Sequence, residues 1–446
     1  VSSEQVFSSY HKAADEDPGE SERSEGDYDD AQQGAERVVE ASYEQPYLAH
    51  ATLEPMNATA WYRDGAIEVW APTQAPDLGR IAAARVTDLS PDEVTIHTTF
   101  LGGGFGRRLT NDYIEEAASV AYRVRKPVKL IWSREEDTRH DVYRPAMLHR
   151  MRASVSGDNV TGWHHQIVGP QILDWYVRNA APAQYPWAPK FLYGTLGRVG
   201  LLAEGVATPK DHSAIEGAIE YPYRVPNIDI RHTHTDPGVP VSWWRSVGFS
   251  HNGFAVETFM DELAHEQGHD PYRFRRSLID HEPRHLGVLD RVAQLAQWDS
   301  GAPEGRARGV ALFRSFGTYV AQVVEASVEF GEIRVHRVYC AVDCGQVVNP
   351  DIVRDQIEGG IIFGLTAALH GNITLEGGQV QQSNFHDYPL MRHDQRPEVV
   401  VDIIDSDESP TGVGEPGVPP VIPALGNALF ALTGKRQRSL PLKATV

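Results

Sequence analysis

The sequence contains few cysteines, and this shortage excludes several kinds of metal site. Only two cysteines, Cys340 and Cys344, occur among 446 residues. Two thiolates cannot alone hold a structural zinc ion or an iron–sulfur cluster, because such sites need about four ligands. In a strand both side chains point to one face and lie too far apart along it to form a disulfide. We therefore expect two buried thiols.

Long apolar runs and positive charge are also scarce. The longest apolar run lies between Gly359 and Leu369, far short of the roughly 20 residues that a membrane-spanning helix needs. Asp and Glu number 61 against 41 Lys and Arg, which gives a formal net charge of −20. This charge disfavours nucleic acid and anionic membrane surfaces as partners. The chain begins at Val1 without a signal peptide, which is consistent with a processed or split product.

The length predicts two or three domains with an ample core. Residues 1–35 are interpreted as an acidic tether, because nine acids and one arginine lie between Asp15 and Asp30. From residue 36 onward strand and helix patterns begin. We expect two folded portions, residues 36–240 and 241–446.

The order of the patterns predicts an α+β fold with mixed sheets and flanking helices. Expected strands are 38–43, 66–70, 94–100, 128–132, 320–328, 333–343 and 399–404, and expected helices are 113–125, 254–267, 271–279, 351–369 and 424–432. Residues 150–235, which include Trp163, Trp175, Tyr176 and Trp187, are expected to be rich in β-strand.

A glycine-rich stretch, GGGFGRR at residues 102–108, follows a predicted strand and precedes a predicted helix. This arrangement is typical of anion-binding loops. It is not a dinucleotide fingerprint, because Arg107 stands where the third glycine belongs. A tight turn is the alternative. Four glycines around Phe105 favour a backbone that approaches another group closely.

A second glycine-rich stretch, GVGEPGVPP at residues 412–420, frames the single carboxylate of Glu415. Its glycines and prolines exclude a regular helix or a central strand, so we expect a stiff loop before the helix at 424–432. A carboxylate on such a loop is well placed to act as a base whose pKa is raised by burial. The alternative is a carboxylate that caps a helix N-terminus.

The sequence HEQGH at residues 265–269 matches a zinc-protease signature. That chemistry needs both histidines on one helical face. Here Gly268 and the Asp270-Pro271 pair end the helix inside the motif, so the two rings should not converge.

Taken together, these stretches resemble the molybdenum-binding large subunit of the xanthine dehydrogenase and aldehyde oxidase family, in particular the C-terminal portion of the isoquinoline 1-oxidoreductase β-subunit type. The matching segments occur in the family's order: YLAHATLEPMNATA (47–60), GGGFGRR (102–108), RSVG with the helix AVETFMDELA (245–264), AVDCGQVVNP (341–350), QIEGGIIFGL (356–365) and GVGEPG (412–417). Residues 36–240 and 241–446 would be two portions of molybdopterin-binding domains.

The resemblance implies a molybdenum–pyranopterin cofactor in its cytosine dinucleotide form. Glu415 would be the base that deprotonates a metal-bound hydroxyl, which attacks the substrate carbon while hydride leaves to a sulfido ligand. Residues of the two matching loops and of the RSVG segment would contact the cofactor: Gly103, Gly104, Phe105, Gly106, Arg107, Arg245, Ser246 and Gly414. No protein side chain is expected to bind the metal. Electrons would leave through [2Fe–2S] clusters in a partner subunit and from there to an acceptor such as a cytochrome c.

This sequence departs from the family pattern at three points. Purine-oxidising relatives carry a glutamate where Leu109 stands and an aromatic residue where Val247 stands, which disfavours a purine. The family's glycine–glutamine–glycine segment, which binds the pterin phosphates, is absent, so we expect another chain to supply the remaining molybdopterin-binding half. An aldehyde and an N-heteroaromatic compound both stay open as substrates.

Two other function classes compete with this interpretation. A zinc hydrolase would use HEQGH, and a cofactor-free scaffold subunit would have kept only the fold. Retention of Glu415 and of the Phe105 loop disfavours the scaffold. The resemblance implies a bacterial protein of the periplasm or cytoplasm, with the periplasm preferred.

Overall fold

Three mixed β-sheets and the helices packed on them form the part of the chain that the computed structural model describes, residues 1–173 and 211–444. The helices are α1 Ser3–Glu16, α2 Tyr28–Gln33, α3 Pro76–Thr87, α4 Asp112–Val124, α5 Arg134–Arg139, α6 Val247–Glu266, α7 Pro271–Leu278, α8 Pro283–Leu295, α9 Pro350–His370 and α10 Val421–Thr433. The strands are β1 Glu20–Glu25, β2 Arg37–Gln45, β3 Asn57–Arg63, β4 Ala66–Ala71, β5 Val94–Thr98, β6 Val128–Ile131, β7 Met147–Ser156, β8 Asn159–Gly169, β9 Ile228–His234, β10 Ala307–Ser315, β11 Thr318–Glu329, β12 Glu332–Asp343, β13 Leu375–Glu376, β14 Gln379–Val380 and β15 Glu398–Ile403.

Each of the three larger sheets contains one parallel pair among antiparallel neighbours. The first has the order β1-β9-β8-β7-β2, with β8 and β9 parallel. The second has the order β10-β11-β12-β15, with β12 and β15 parallel. The third has the order β5-β4-β3-β6, with β4 and β5 parallel. The predicted α+β class with mixed sheets is confirmed.

The N-terminal segment is ordered, and the prediction of a tether at residues 1–35 is wrong. A capping box at Ser2 and Gln5 starts α1, whose Val6, Tyr10 and Ala14 are buried. Strand β1 then pairs with β9 at the edge of the first sheet. The prediction failed because most of the acids lie at solvent-facing positions, as the exposed residues of β1 show, and so do not prevent the segment from folding. A few apolar residues at helical spacing are enough to anchor the segment.

Helix α6 runs through the centre of the molecule. Seventeen of its 20 residues are buried, and it contacts α10, α7, β10 and β7. Its buried Glu257 accepts hydrogen bonds from Tyr223, Arg275 and the backbone N–H of Leu312. This full set of partners offsets the cost of burying a charge. The helix therefore provides a rigid base for the residues at its N-terminus.

Two glycine contacts pack α10, the helix that follows the Glu415 loop, against its neighbours. A Cβ on Gly309 of β10 would lie 2.2 Å from the carbonyl oxygen of Ala424 in α10, so strand and helix touch backbone to backbone. A Cβ on Gly364 of α9 would lie 2.5 Å from Cγ1 of Val421, where α10 begins. The end of the Glu415 loop that leads into α10 is thereby fixed.

Most predicted elements agree with the structure, with one large shift. Helix α6 begins at Val247, seven residues before the predicted start at 254, because the small and polar residues 247–253 gave no apolar spacing. Both cysteines are free and buried, as predicted. Residues 150–173 and 228–234 contribute β7, β8 and β9. Trp175, Tyr176 and Trp187 lie outside the described residues. The boundary at 240/241 stays a prediction.

The helices of the described residues include none that is long and apolar enough to cross a membrane.

Three buried histidines meet between the first sheet and α6. His149 of β7 and His165 of β8 share a hydrogen bond of 2.9 Å between Nδ1 and Nε2, and the His149 and His251 rings lie 5.3 Å apart. Burial lowers the pKa of all three imidazoles well below the usual value, and the neighbouring histidines lower it further. The folded protein therefore keeps them neutral.

This cluster predicts that stability is lost on acidification. Below about pH 6.5 these histidines bind protons in the unfolded chain but stay neutral in the folded chain, so the free energy of unfolding falls as pH falls. Replacing His251 with Gln should reduce this dependence by about 1.4 kcal/mol per pH unit. Urea unfolding at several pH values between 7.5 and 5 measures it. Replacing the exposed His386 with Gln is the control and should change nothing; an equal effect of both variants would contradict the prediction.

Candidate active site

The Glu415 loop is held against the N-terminus of α6. Glu415 is half-buried, and its Oε2 accepts a hydrogen bond of 2.7 Å from the backbone N–H of Ser246, the residue that precedes α6. Burial raises the pKa of the Glu415 carboxyl, and the Ser246 hydrogen bond and the Arg245 charge only partly offset this. The role of Glu415 as a base stays a prediction, whereas its contact with a helix N-terminus is present. It does cap a helix, but the helix is α6 rather than the one that follows it.

The loop itself is stiff. The backbone N–H of Val418 donates to the Glu415 carbonyl oxygen at 3.0 Å. The carbonyl oxygen of Gly417 accepts from Gln322 of β11 at 3.0 Å. A Cβ on Gly417 would lie 2.7 Å from the carbonyl oxygen of Ile357, so only glycine allows this approach to α9. The carboxylate is thus presented by a backbone with little freedom.

A strained turn before α6 aims the N–H group at Glu415. Ser246 and Val247 have φ angles of 78° and 47°, a left-handed conformation that is rare for Val and costs roughly 1–3 kcal/mol per residue. The N–H of Val247 donates to Trp244 across the turn at 2.7 Å. Arg245 extends from the same turn, and its Nε donates to the carbonyl oxygen of Gly414 at 2.8 Å. The turn and the Glu415 loop therefore form one unit.

The glycine loop at residues 102–106 reaches the same place. A Cβ on Gly106 would lie 1.7 Å from the carbonyl oxygen of Trp243, so the loop touches the strained turn directly. Phe105, whose φ is 55°, packs its ring 4.6 Å from that of Phe363 in α9. The Arg245 guanidinium lies 5.8 Å from the centre of the Phe105 ring. Phe105, Arg245, Ser246, Gly414 and Glu415 are thus neighbours.

The remaining glycines shape the loop around Phe105. Gly103 has a φ of 101°, and a Cβ there would lie 3.0 Å from the Phe105 ring. A Cβ on Gly104 would lie 2.6 Å from Oε1 of Gln74, which also accepts a hydrogen bond from the N–H of Gly106. The loop is close-packed on its inner side and needs glycine at these positions.

Arg107, predicted to bind the cofactor, has its side chain inside the protein. The guanidinium is buried and forms a two-pronged ion pair with Asp112 at 3.0 and 2.9 Å, and its Nε lies 3.2 Å from Asp141. Asp141 also contacts His50, whose Nε2 lies 2.7 Å from the Trp243 carbonyl oxygen. Arg107 is therefore placed to anchor the loop rather than to meet a ligand.

Sequence reasoning did not single out three neighbours of the site. Phe363 and Gln356 belong to the α9 segment QIEGGIIFGL, where Gln356 accepts from Arg245 through its carbonyl oxygen at 3.3 Å. The spacing of seven residues between them places both on one helical face, and this spacing could have identified them from the sequence. Glu216 accepts a hydrogen bond from the N–H of Gly248 in α6. It lies in a stretch with no motif, so no sequence pattern indicates it.

Comparison with known proteins matches this geometry to one family. Residues 11–169 and 290–397 match two models, each described as a molybdopterin cofactor-binding domain. The chain is 32% identical over 415 residues to isoquinoline 1-oxidoreductase subunit beta of Brevundimonas diminuta, covering 91% of this chain and 50% of that one. The chain belongs to the molybdopterin-binding subunits of the xanthine dehydrogenase and aldehyde oxidase family.

Two further similarities concern another relative and the fold. It is 30% identical over 451 residues to "Membrane-bound aldehyde dehydrogenase [pyrroloquinoline-quinone]" of Gluconacetobacter polyoxogenes, covering 93% of this chain and 54% of the relative. The fold resembles quinoline 2-oxidoreductase from Pseudomonas putida 86 with a TM-score of 0.74 at 14% identity, over 94% of this chain and 76% of that one. The chain spans about half the length of the curated relatives.

The two histidine rings of the HEQGH motif do not converge in this molybdopterin-binding subunit. His265 lies in the last turn of α6 with its Nε2 3.5 Å from Asp261. His269 lies beyond the helix end, 3.8 Å from Asp158 and stacked on Phe274. The two rings thus face different carboxylates. Within residues 1–173 and 211–444, no group of three potential ligands has the geometry of a metal site.

Leu109, at the position of the glutamate in purine-oxidising members, lines a different cavity. This cleft of about 1200 Å³ lies between the start of α4, residues 136–143 and the β13–β14 hairpin, and Glu415, Arg245 and Ser246 are not among its lining residues. Val247, at the position of the aromatic clamp, is part of the strained turn. The expectation that a purine is disfavoured stays a prediction.

The residues around Glu415 fit a pyranopterin-bound metal. In α9, Gly359 has open space, with only the Arg245 guanidinium near the position of a Cβ, at 3.9 Å. The glycine loop and α9 thus leave room beside Arg245 that any larger side chain would reduce.

The contact between Gly106 and Trp243 predicts that Gly106→Ala disrupts the site. The added methyl group would force the glycine loop and the strained turn apart, with a steric cost beyond the roughly 1 kcal/mol of a left-handed alanine. We expect a loss of cofactor retention together with a lower melting temperature.

Gly65→Ala is the matched control for this variant. Gly65 has a φ of 83°, and a Cβ there would have no atom within 4 Å, so the control isolates the backbone cost. Differential scanning fluorimetry and molybdenum content of the purified complex measure both effects. Equal behaviour of the two variants would show that the contact is unimportant.

Proposed function

We propose that this chain is the catalytic portion of a molybdenum hydroxylase that oxidises an aldehyde or an N-heteroaromatic compound, with Glu415 as the base. The observation that carries the proposal is the position of Glu415. Its carboxyl has a raised pKa and is fixed by Ser246 beside Phe105 and Arg245. A general base works best when its pKa lies near the operating pH, and burial moves Glu415 in that direction.

The two carboxylate oxygens of Glu415 would have different tasks. Oε2 is occupied by the Ser246 N–H, so Oε1 is the atom that would accept a proton. Arg245 keeps the loop in place through Gly414 and adds a positive charge that stabilises the ionised carboxylate before the reaction. When bound, the molybdenum–pyranopterin would supply a two-electron acceptor and activate water.

The overall reaction sets how many protons must leave. A substrate C–H and one water give a C–OH, two electrons and two protons; for an aldehyde the product is a carboxylic acid. Glu415 would take one of these protons from the water-derived oxygen. The two electrons would pass to [2Fe–2S] clusters in a partner, because Cys340 and Cys344 are buried, separate thiols.

Aromatic side chains near the start of α6 support a flat, apolar substrate. The Phe249 ring lies 5.1 Å from that of Phe316, which is 39% exposed at the β10–β11 turn. The N–H of Gly412 donates to the carbonyl oxygen of Phe316, so this turn touches the Glu415 loop. The names of the relatives include an isoquinoline and an aldehyde as substrates. Screening both classes with a dye acceptor distinguishes them.

The partners follow from what the chain lacks. A polypeptide segment with the glycine–glutamine–glycine sequence would bind the pterin phosphates, with the cofactor in its cytosine dinucleotide form. It would come from the half of the relatives that this chain does not span. An iron–sulfur subunit, and a cytochrome c as a further acceptor, would complete electron transfer. A bacterial periplasmic location is preferred over the cytoplasm on the resemblance alone.

Glu415→Gln is the test of the base. Glutamine keeps the size of the side chain and can still accept from Ser246, but it cannot take the proton. We expect kcat to fall on the order of 100- to 10,000-fold with little change in KM, because a general base acts only in the transition state. Steady-state kinetics of the purified complex measure this.

The exposed Glu408, seven residues upstream, provides the matched control. Glu408→Gln should keep the wild-type rate, and both variants should retain molybdenum and melt at the wild-type temperature. A near-normal kcat for Glu415→Gln with molybdenum bound would reduce Glu415 to a helix cap and refute the mechanism.

A second prediction concerns the divided site. Expressed without a chain that supplies the remaining molybdopterin-binding half, this chain should retain little molybdenum or pterin, because its residues would contact one side of the cofactor only. Elemental analysis of the chain alone and of the full complex tests this. Equal molybdenum per chain in both samples would show that residues 1–446 hold the cofactor unaided.

A further inference from the structure

A second carboxylate lies at the same helix end as Glu415. Glu216 Oε2 accepts a hydrogen bond of 3.2 Å from the N–H of Gly248, and Glu415 accepts from the N–H of Ser246. Two backbone N–H groups at the N-terminus of α6, those of Ser246 and Gly248, therefore each donate to an acidic side chain. A helix N-terminus carries about half a positive charge, which stabilises an anion, but two ionised carboxylates at one helix end also repel each other.

The segment that carries Glu216 is clamped to α6. Asn252 Nδ2 donates to the carbonyl oxygens of Ala214 and Glu216 at 3.0 and 2.8 Å. A Cβ on Gly248 would lie 2.2 Å from the carbonyl oxygen of Ser213. Gly217, with a φ of 84°, lets the Phe313 ring pack against the backbone. Glu216 is therefore held beside the helix end by contacts on both sides.

The charged groups around the two carboxylates differ in sign. The charge of Arg245 favours ionised Glu415. The charged groups that affect Glu216 among the described residues are Glu220, Asp211 and Glu415, all negative. Burial, the largest cause, together with these charges raises the pKa of Glu216 to about 8, against the hydrogen bond from Gly248. Two acids in such different surroundings take different roles.

We infer that Glu216 is a positioning residue that keeps its proton while Glu415 is ionised, so that the end of α6 holds a single negative charge. This inference rests on the proposed role of Glu415 as the base. Protonated Glu216 leaves Glu415 as the group that exchanges protons during turnover. When Glu216 also ionises, the second negative charge repels that of Glu415 and raises the affinity of Glu415 for its proton.

Infrared titration of the purified complex at rest tests the protonation state without turnover. The wild type should show a protonated-carboxyl C=O band that disappears with a midpoint near pH 8, and Glu216→Gln should lack this band. Glu220→Gln is the matched control. Glu220 is exposed and lies four residues along the chain, where it accepts from the N–H of Gly217. Because the Glu220 charge helps to raise the pKa of Glu216, its loss should leave the band present and move its midpoint to lower pH.

The pH dependence of kcat/KM tests the coupling to Glu415. The wild type should show an inflection near pH 8 and Glu220→Gln one at lower pH, because the Glu220 charge helps to raise the pKa of Glu216. Glu216→Gln should show no such inflection, while the acid limb, set by Glu415, should stay unchanged. A residue that only caps the helix would leave the inflection in the glutamine variant. Persistence of the band or of the inflection in Glu216→Gln would overturn the inference. Failure of Glu415 as the base would show instead as a fully active Glu415→Gln with the infrared result intact.

Discussion

The hydrogen bond between the Ser246 N–H and the Glu415 carboxylate joins parts of the chain that lie 169 residues apart. One partner comes from the turn before the most buried helix, and the other from a loop fixed on α9 and β11. Moving either partner would leave a half-buried carboxylate without its donor. An unsatisfied buried acceptor lowers the free energy of unfolding by about 1–3 kcal/mol or more. The second sheet, α6, α9 and α10 all contribute to keeping this one bond in place.

The strained turn explains why so much structure surrounds it. Left-handed φ angles at Ser246 and Val247 are unfavourable in isolation. They persist because α6 is buried along its length and because the carbonyl oxygen of Trp243 is enclosed by Gly106 and His50. His50 also contacts Asp141, and Asp141 contacts Arg107. These contacts connect the residues around the Trp243 carbonyl oxygen to the part of the chain that contains the third sheet. Strain at the site is balanced by packing around it.

The sequence was a good guide where a single side chain or backbone geometry decides the outcome. Alternating apolar residues predicted β11 and β12 almost to the residue, and the glycines and prolines around Glu415 predicted a stiff loop. The order of the matching segments pointed to the family. The prediction for residues 1–35 failed because it counted charges without regard to their positions. The acids of this segment face solvent, while Val6 and Tyr10 are buried.

Other features could not be read from sequence because they depend on contacts between distant segments. Arg107 belongs to the glycine-loop motif, yet Asp112 and Asp141 draw its side chain into the protein. Glu216 lies in a stretch without a motif, and only the packing of Ser213–Gly217 on α6 brings it to the helix end that Glu415 occupies. Nothing in the spacing of these residues indicates such a meeting.

The polar contacts of the site residues lie within this chain. Glu415, Arg245 and the Phe105 loop find their hydrogen-bond partners among its own residues. The position of the Glu415 carboxylate is therefore set by these contacts, and a preorganised carboxylate needs no rearrangement when a ligand arrives. The side of α9 at Gly359 is open, since only Arg245 lies near it. The contacts at the start of α6 and in the glycine loop thus fix the carboxylate independently of what fills the space beside Arg245.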